Sequence, residues 1–280
     1  MASALILEGG AKRGIYTAGV LDVLVESGVE VDAVFGVSAG AIHGVSYISK
    51  QIGRSLRYNL DYNDDYRFMS FRNWLLTGNV VDVKFCYDEL PNRLDVFDYE
   101  TFAAGKTKFF AVCSNVETGQ AEYIHCPEMH KGIEYVRASA SLPFLSRIVK
   151  IGDKKLLDGG ICDSIPLQAA EKRGYDKNIV VLTRPAGYRK PRAHNHWLAK
   201  LVYSAYPRFV RAITDRHLMY NAELDYVNQR EKDGDILVIR PSKTINIGKM
   251  EKNPEVIKAM YNLGRQDAEA IKAKIHRFLA

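Results

Sequence analysis

The chain lacks any long apolar run: no uninterrupted stretch approaches the roughly 18 residues that suggest a membrane span. Its opening residues, MASALILEGG, carry no basic n-region and only a short apolar segment, so they do not read as a signal peptide. Paired cysteines are missing as well. Cys86, Cys113, Cys126 and Cys162 form no CxxC pair and read as buried, reduced thiols of a cytosolic protein. A strong charge imbalance is also missing. With 39 basic against 33 acidic residues, the net charge of +6 permits contact with anionic lipid or nucleic acid without demanding either. No internal repeat, low-complexity tract or clear linker breaks the chain, so a single domain over 1–280 is expected. The expectation is a cytoplasmic protein whose membrane contact, where it occurs, is peripheral.

What is present is a foldable mixture, 47% hydrophobic and 26% charged, which sets the chain apart from disordered sequences. Ala4 to Leu7 reads as a buried strand leaving a sheet at Glu8. Ile15, Ala18, Val20, Leu21, Leu24 and Val25 recur at helical spacing between Arg13 and Ser27, and Gly28 stops the helix. Val31 to Phe35 is a second strand, followed by a small-residue helix from Ala39 to about Ile52. Strand, helix, strand, helix argues for an α/β sheet with parallel order. Further along, Lys108–Ser114 and Gln120–Ile124 predict a hairpin, and Lys131–Ala140 a helix. Lys154–Leu157 predicts a short strand ending at Asp158. Pro166–Arg173 predicts a helix, and Asn178–Thr183 a strongly apolar strand. Trp197 to Glu231 predicts one long helix, Asp235–Arg240 a last strand and Pro254–Leu279 a terminal helix.

Gly36-Val37-Ser38-Ala39-Gly40 lies between a strand and a helix. A serine on so sharp a turn is pushed out of the backbone envelope, and the flanking glycines remove side chains that would clash. The adjacent helix directs N–H groups and positive dipole toward a reacting carbonyl. The bland alternative is an N-capping serine. Gly9-Gly10-Ala11-Lys12-Arg13-Gly14 follows the first strand and opens the first helix, so its backbone N–H groups can turn toward one point, as an oxyanion hole requires. A phosphate loop is the rival. The spacing is not GxGxxG, and Ile15 stands where a Walker loop needs lysine.

A serine of this kind ordinarily works with a histidine. His194, His196, His217 and His276 lie late in the chain, but none sits in a strand-end loop among small residues, and His194 and His196 fall in a solvated basic loop. His43 reads as packed or capping; His125 and His130 also precede Asp158. Asp158-Gly159-Gly160 offers another base, since two glycines let an aspartate at a strand end approach a neighbouring loop closely. An ordinary Asp-Gly turn is its alternative.

Three other features carry less. Tyr58, Tyr62 and Tyr66 at i, i+4 predict a helix stripe packed on the core, with a lid or lipid-contacting surface as the alternative. DYNDD at Asp61–Asp65 fails the calcium-loop test, because Tyr66 replaces the glycine and Arg72 the bidentate acid. RPAGYRKPR holds four basic residues in nine and reads as a solvated loop able to touch anionic lipid. It lacks the framework of a nucleic-acid reader, so no nucleic-acid partner is expected.

Taken in order, GGAKRG, GVSAG and DGG resemble the patatin-like phospholipase family, whose pattern is a glycine-rich loop, a GxSxG elbow and a DG dipeptide. RASASLPF, from Arg137 to Phe144, resembles the small-residue segment shortly before the family's aspartate. The likeness spans roughly residues 4–185, and residues 235–270 resemble the tails of bacterial single-domain members, with the strand and helices of about 195–280 completing the domain. It implies a three-layer αβα fold, a mostly parallel sheet with helices on both faces. It also implies lipid-ester hydrolysis by a Ser-Asp dyad: Ser38 attacks the carbonyl and Asp158 takes its proton. The N–H groups of Gly9, Gly10 and Ala11 hold the oxyanion, helped by Ala39. Arg13 orients that loop or meets the lipid head group, and Gly14, Gly36, Gly40, Gly159 and Gly160 shape the supporting turns. No metal and no cofactor is implied. The family's loop usually has a third glycine where this chain has Ala11, which keeps its N–H and suffices if the position does not need φ > 0. Acyl transfer to another acceptor, and a non-catalytic lipid-binding scaffold, stay open beside hydrolysis.

Overall fold

Short apolar runs such as Ala33–Val37, buried along their whole length, suit strands covered on both faces. The structure, a computed structural model, describes residues 1–193 and 196–280. In chain order its elements are β1 (Ala2–Leu7), α1 (Ile15–Glu26), β2 (Ala33–Val37), α2 (Ala39–Ile48), α3 (Arg54–Asp61), α4 (Phe71–Thr77) and α5 (Tyr99–Ala104). There follow β3 (Lys108–Asn115), β4 (Gln120–His125), α6 (Met129–Ser139), β5 (Val149–Ile151), β6 (Lys154–Asp158), α7 (Leu167–Glu171) and β7 (Tyr175–Val181). The chain closes with α8 (His196–Val202), α9 (Pro207–Asp233), β8 (Ile236–Ile239) and α10 (Pro254–Leu279).

The eight strands form one sheet in the order β5-β6-β3-β2-β1-β7-β8, with β4 also paired to β3. β3, β2, β1, β7 and β8 run parallel; β4 and β6 are antiparallel to β3. Alternation along β1 divides the core. Leu5 and Leu7 join residues of α1, α2 and α10 on one face, while Ala4 and Ile6 join Leu167 of α7 and Tyr220, Leu224 and Val227 of α9 on the other. Three layers result: a mixed, mostly parallel sheet with helices on both sides.

α1 and α10 cross in backbone contact. A Cβ on Gly19 would stand 2.1 Å from the Tyr261 carbonyl oxygen, and one on Gly264 would stand 2.1 Å from that of Tyr16. These two glycines bring the C-terminal helix down onto the helix that carries the glycine-rich loop.

Three expectations need correction. The tyrosine stripe does not form, because α3 ends at Asp61; Tyr58 is buried, whereas Tyr66 lies beyond the helix and is exposed. Asp65 there accepts hydrogen bonds from the Arg67 backbone and guanidinium, a local alternative to continuing the helix. The expected long helix from Trp197 is two helices, since Tyr206 is held at φ −130°, ψ 67° before Pro207, which opens α9. Of the late histidines placed in a solvated loop, His196 instead opens α8, and His194 lies outside the described residues.

Candidate active site

Ser38 and Asp158 are brought together by β3. β2 pairs with its first part, ending at Val37↔Val112, and β6 pairs with its last part, ending at Cys113↔Asp158. β4 overlaps both registers and so occupies the other edge. β2 and β6 therefore share one edge and meet end to end on consecutive residues of β3. Ser38 follows β2 directly, so the hydrogen-bond ladder places it beside the end of β6. The chain then leaves Asp158 across β3 so closely that a Cβ on Gly159 would lie 2.1 Å from the Val112 carbonyl oxygen.

Ser38 is buried and has φ 54°, ψ −120°, a strained conformation for a residue with a side chain. Ser139 holds it there. The Ser38 N–H donates to Ser139 Oγ at 2.9 Å, and that hydroxyl donates to the Val112 carbonyl at 2.6 Å. The elbow glycines are close approaches: a Cβ on Gly36 would be 2.5 Å from Ala41 Cα, and one on Gly40 2.4 Å from the Leu7 carbonyl oxygen. Ser139 lies in the RASASLPF segment, but its contact with Ser38 has no signature in sequence spacing.

Asp158 is almost wholly buried. Oδ1 accepts the Gly160 N–H at 2.9 Å, whereas Oδ2 has no hydrogen-bond partner among the described residues. Burial raises its pKa; the charge of Arg216, the nearby Ser38 hydroxyl, the Gly160 N–H and the charge of Lys249 pull the other way. The Ser38 hydroxyl is thus near enough to favour the carboxylate without closing a hydrogen bond to Oδ2. Two further side chains fix the loop: Ser114 Oγ donates to the Asp158 carbonyl at 2.8 Å, and Arg216 Nε donates to that of Gly160. Neither was legible beforehand, since both reach the loop only through tertiary packing.

The glycine-rich loop borders this pair. Gly9 faces Ser38, Gly10 faces Thr183 and Gly14 faces Ala39, each leaving no room for a side chain to enter without displacement. The N–H groups of Gly9 and Gly10 donate to no acceptor among the described residues, and the same holds for Ala39 at the start of α2. Ala11 has φ 48°, so the position does occupy the left-handed region, and its alanine is held there under strain.

The two basic residues of the loop diverge. Lys12 Nζ donates to Asn59 Oδ1 at 2.9 Å and lies 5.0 Å from the Phe68 ring; burial pushes its pKa down to about 8. Arg13 runs among Glu8, Arg184 and Tyr220, burial lowers its pKa, and its Nε is buried without a partner among the described residues.

A cavity of about 190 Å³ opens at Ser38 and is mostly apolar, with Ile42, Val45, Ile133, Val136 and Leu142 in its wall. His43 lines it too, with Nδ1 3.0 Å from Ser55 Oγ; burial, reinforced by the charge of Lys12, pushes its pKa down to about 3. No histidine hydrogen-bonds Ser38 or Asp158 among the described residues.

The geometry is that of an α/β protein with a strained serine, a buried carboxylate and a loop with free N–H groups at the carboxyl ends of β2, β6 and β1. The description "Patatin-like phospholipase" matches residues 5–171, and the chain belongs to that family. Residues 206–280 match a domain of unknown function (DUF6363). The uncharacterized protein YjjU of Escherichia coli is 25% identical, over 99% of this chain and 78% of its own length. Lysophospholipase NTE1 of Scheffersomyces stipitis is 24% identical over 86% of this chain; the chain spans only 16% of that relative's length. VipD from Legionella pneumophila, a solved structure, is 13% identical with a TM-score of 0.42, covering 96% of this chain and 67% of that one. Family membership implies lipid acyl hydrolysis.

Proposed function

We propose that this chain hydrolyses lipid acyl esters through an acyl-enzyme formed on Ser38, with Asp158 as base. The observation that carries the reading is the end-to-end meeting of β2 and β6, which sets a strained serine beside a buried carboxylate with one oxygen unpaired among the described residues. Ser38 Oγ attacks the ester carbonyl while Asp158 Oδ2 takes its proton. The N–H groups of Gly9, Gly10 and Ala11, with Ala39, hold the oxyanion, and the positive end of α2 adds to the field there. Collapse of the tetrahedral intermediate breaks the ester C–O bond, and Asp158 returns the proton to the departing alcohol. Water then attacks the acyl-enzyme, Asp158 again serving as base, and free fatty acid leaves. An aspartate at its ordinary pKa is a weak base for serine, and burial of Asp158 strengthens it.

The apolar cavity suits the acyl chain. Leu142 of its wall is followed two residues on by Phe144, whose carbonyl accepts from Trp74 Nε1 at 2.9 Å and whose N–H donates to Tyr203 Oη at 3.1 Å. Exposed Phe71, Leu75 and Leu76 of α4 and Trp197 and Leu201 of α8 flank that segment, a surface suited to peripheral contact with a bilayer. No helix among the described residues is long and apolar enough to cross a membrane. The reduced cysteines fit a cytoplasmic setting, and the pairing of β8 with β7 and the packing of α10 on α1 support a single domain.

Fatty-acid release from vesicles of mixed phospholipid and neutral lipid, wild type against Ser38→Ala, tests the reading. Release by the wild type and none by the variant is expected, with fluorophosphonate labelling of Ser38 alone. Equal release by both proteins would sink it.

A further inference from the structure

On the side of the glycine-rich loop away from the apolar cavity, cations gather around Asp158 and Glu8. Arg216 and Tyr220 stand one turn apart on α9: the Arg216 guanidinium reaches Gly160, and the Tyr220 hydroxyl donates to Glu8 at 2.6 Å. Lys190 Nζ sits 4.4 Å from the centre of the Tyr220 ring, and Arg184 4.4 Å from that of Tyr188, which itself packs edge-on against Tyr220. Arg13 enters from the loop. Lys249 enters from the segment before α10, where its charge acts on Arg216, Arg13 and Asp158. The basic loop RPAGYRKPR is therefore not simply solvated, since Arg184 and Lys190 fold back over two tyrosines.

Among the described residues, five cations here face two carboxylates, Glu8 and Asp158, so positive charge stays in excess. Among the described residues none of Arg13, Arg184, Lys190, Arg216 and Lys249 forms an ion pair with a carboxylate. Of these two acids, Glu8 already accepts from the Thr183 N–H, the Thr183 hydroxyl and Tyr220. Burial, with repulsion from neighbouring cations added to it, lowers the pKa of Arg13, and of Lys190 to about 8. So many unpaired positive charges in one place are unfavourable unless an anion joins them.

We infer that Arg13, Arg184, Lys190, Arg216 and Lys249 form a subsite for a net-negative phosphate ester, the head group of the ester cleaved at Ser38. The inference rests on the hydrolase reading, and adds a direction to it. The acyl chain enters the apolar cavity on the Lys12 side of the loop, and the alcohol half leaves toward the Arg13 side. It also excludes a class of head group. A quaternary ammonium needs a free carboxylate or an open aromatic face, yet Glu8 is occupied, and the Tyr188 and Tyr220 rings are already covered by Arg184 and Lys190. Anionic head groups are therefore preferred over choline.

The test uses short-chain lipids dissolved as monomers, so that attraction of the protein to a charged surface does not enter. Dibutyryl-phosphatidylglycerol, dibutyryl-phosphatidylcholine and uncharged dibutyrylglycerol are compared for turnover by the wild type and, by calorimetry, for binding to Ser38→Ala. The phosphatidylglycerol analogue is expected to exceed the choline analogue by about tenfold in kcat/KM and in affinity at low salt. In Lys190→Gln/Lys249→Gln, checked for an unchanged melting profile, that ratio falls toward one through KM. Ser38-dependent turnover with no preference overturns the subsite and leaves the hydrolase standing. Absence of turnover with all three lipids overturns the hydrolase reading instead, and the binding ratio still decides the subsite. Inorganic phosphate binding as tightly as the anionic lipid would assign the cluster to a free anion and overturn the head-group assignment.

Discussion

Asp158 is a buried carboxylate beside Ser38 with one oxygen that has no partner among the described residues, and in the proposed mechanism chemistry and stability pull there in opposite directions. An acid whose pKa rises on folding holds its proton more tightly folded than unfolded. Folding stability from this group therefore falls as pH climbs from the ordinary 3.8 through the raised native value, and stays reduced above it. Asp158→Asn removes that burden. The variant should lose about 10³–10⁴-fold in turnover, yet melt above the wild type at neutral pH. The gap should close in buffers below the ordinary carboxylate range, and calorimetric melts across pH read it directly. Turnover of the wild type should rise along one acid limb lying above 3.8 and show no step near 6.5, because His43 is held neutral by burial. Ala11 is a second residue under tension. At φ 48° a glycine relaxes what alanine strains, so Ala11→Gly should raise stability by about 1 kcal/mol, measured by denaturant unfolding, with the backbone N–H retained.

Among the elements, β3 has the largest influence on the site, because its edge is a ruler on which β2 and β6 end at consecutive residues. The helices act more remotely. α1 carries the glycine-rich loop at its N-terminus and is clamped by α10 through Gly19 and Gly264. Gly264→Ala puts a methyl group against the Tyr16 carbonyl and must push the helices apart. A loss of about 1–3 kcal/mol is expected from such overpacking, with hydrolysis falling as well, since α1 cannot shift without moving residues 9–14. Unfolding curves and turnover of the same variant check both halves; an unchanged melting temperature would show that the crossing tolerates the extra atom.

Across the whole molecule, residues beyond 206 contact the motif-bearing core at several places. β8 extends the parallel order from β7, α10 covers α1, and α9 supplies Arg216 to the loop at Asp158. Heating the intact chain should therefore give one transition by both circular dichroism and tryptophan fluorescence; two separated transitions would show that the region matching DUF6363 folds apart from the rest. Most elements were legible in the sequence, because short apolar runs and helical periodicity are local signals: β1, the hairpin of β3 and β4, β6, β7 and α10 fall where those signals lie. Three motifs, each at the end of a short strand, also marked Ser38, Asp158 and residues 9–14. Local patterns failed where a break depended on backbone detail, as at Asp61 and Tyr206. They were silent wherever partners met only in three dimensions. Ser139 bracing Ser38, Ser114 and Arg216 bracing the Asp158 loop, and five cations converging from four separate segments are products of packing. The amino-acid sequence by itself determined which strands, helices and reactive residue types the chain has, since those follow from the chemistry of neighbours. Only the tertiary structure decided which of them face one another, because the ladder along β3 and the glycine contact of α1 with α10 set distances that no spacing along the chain encodes.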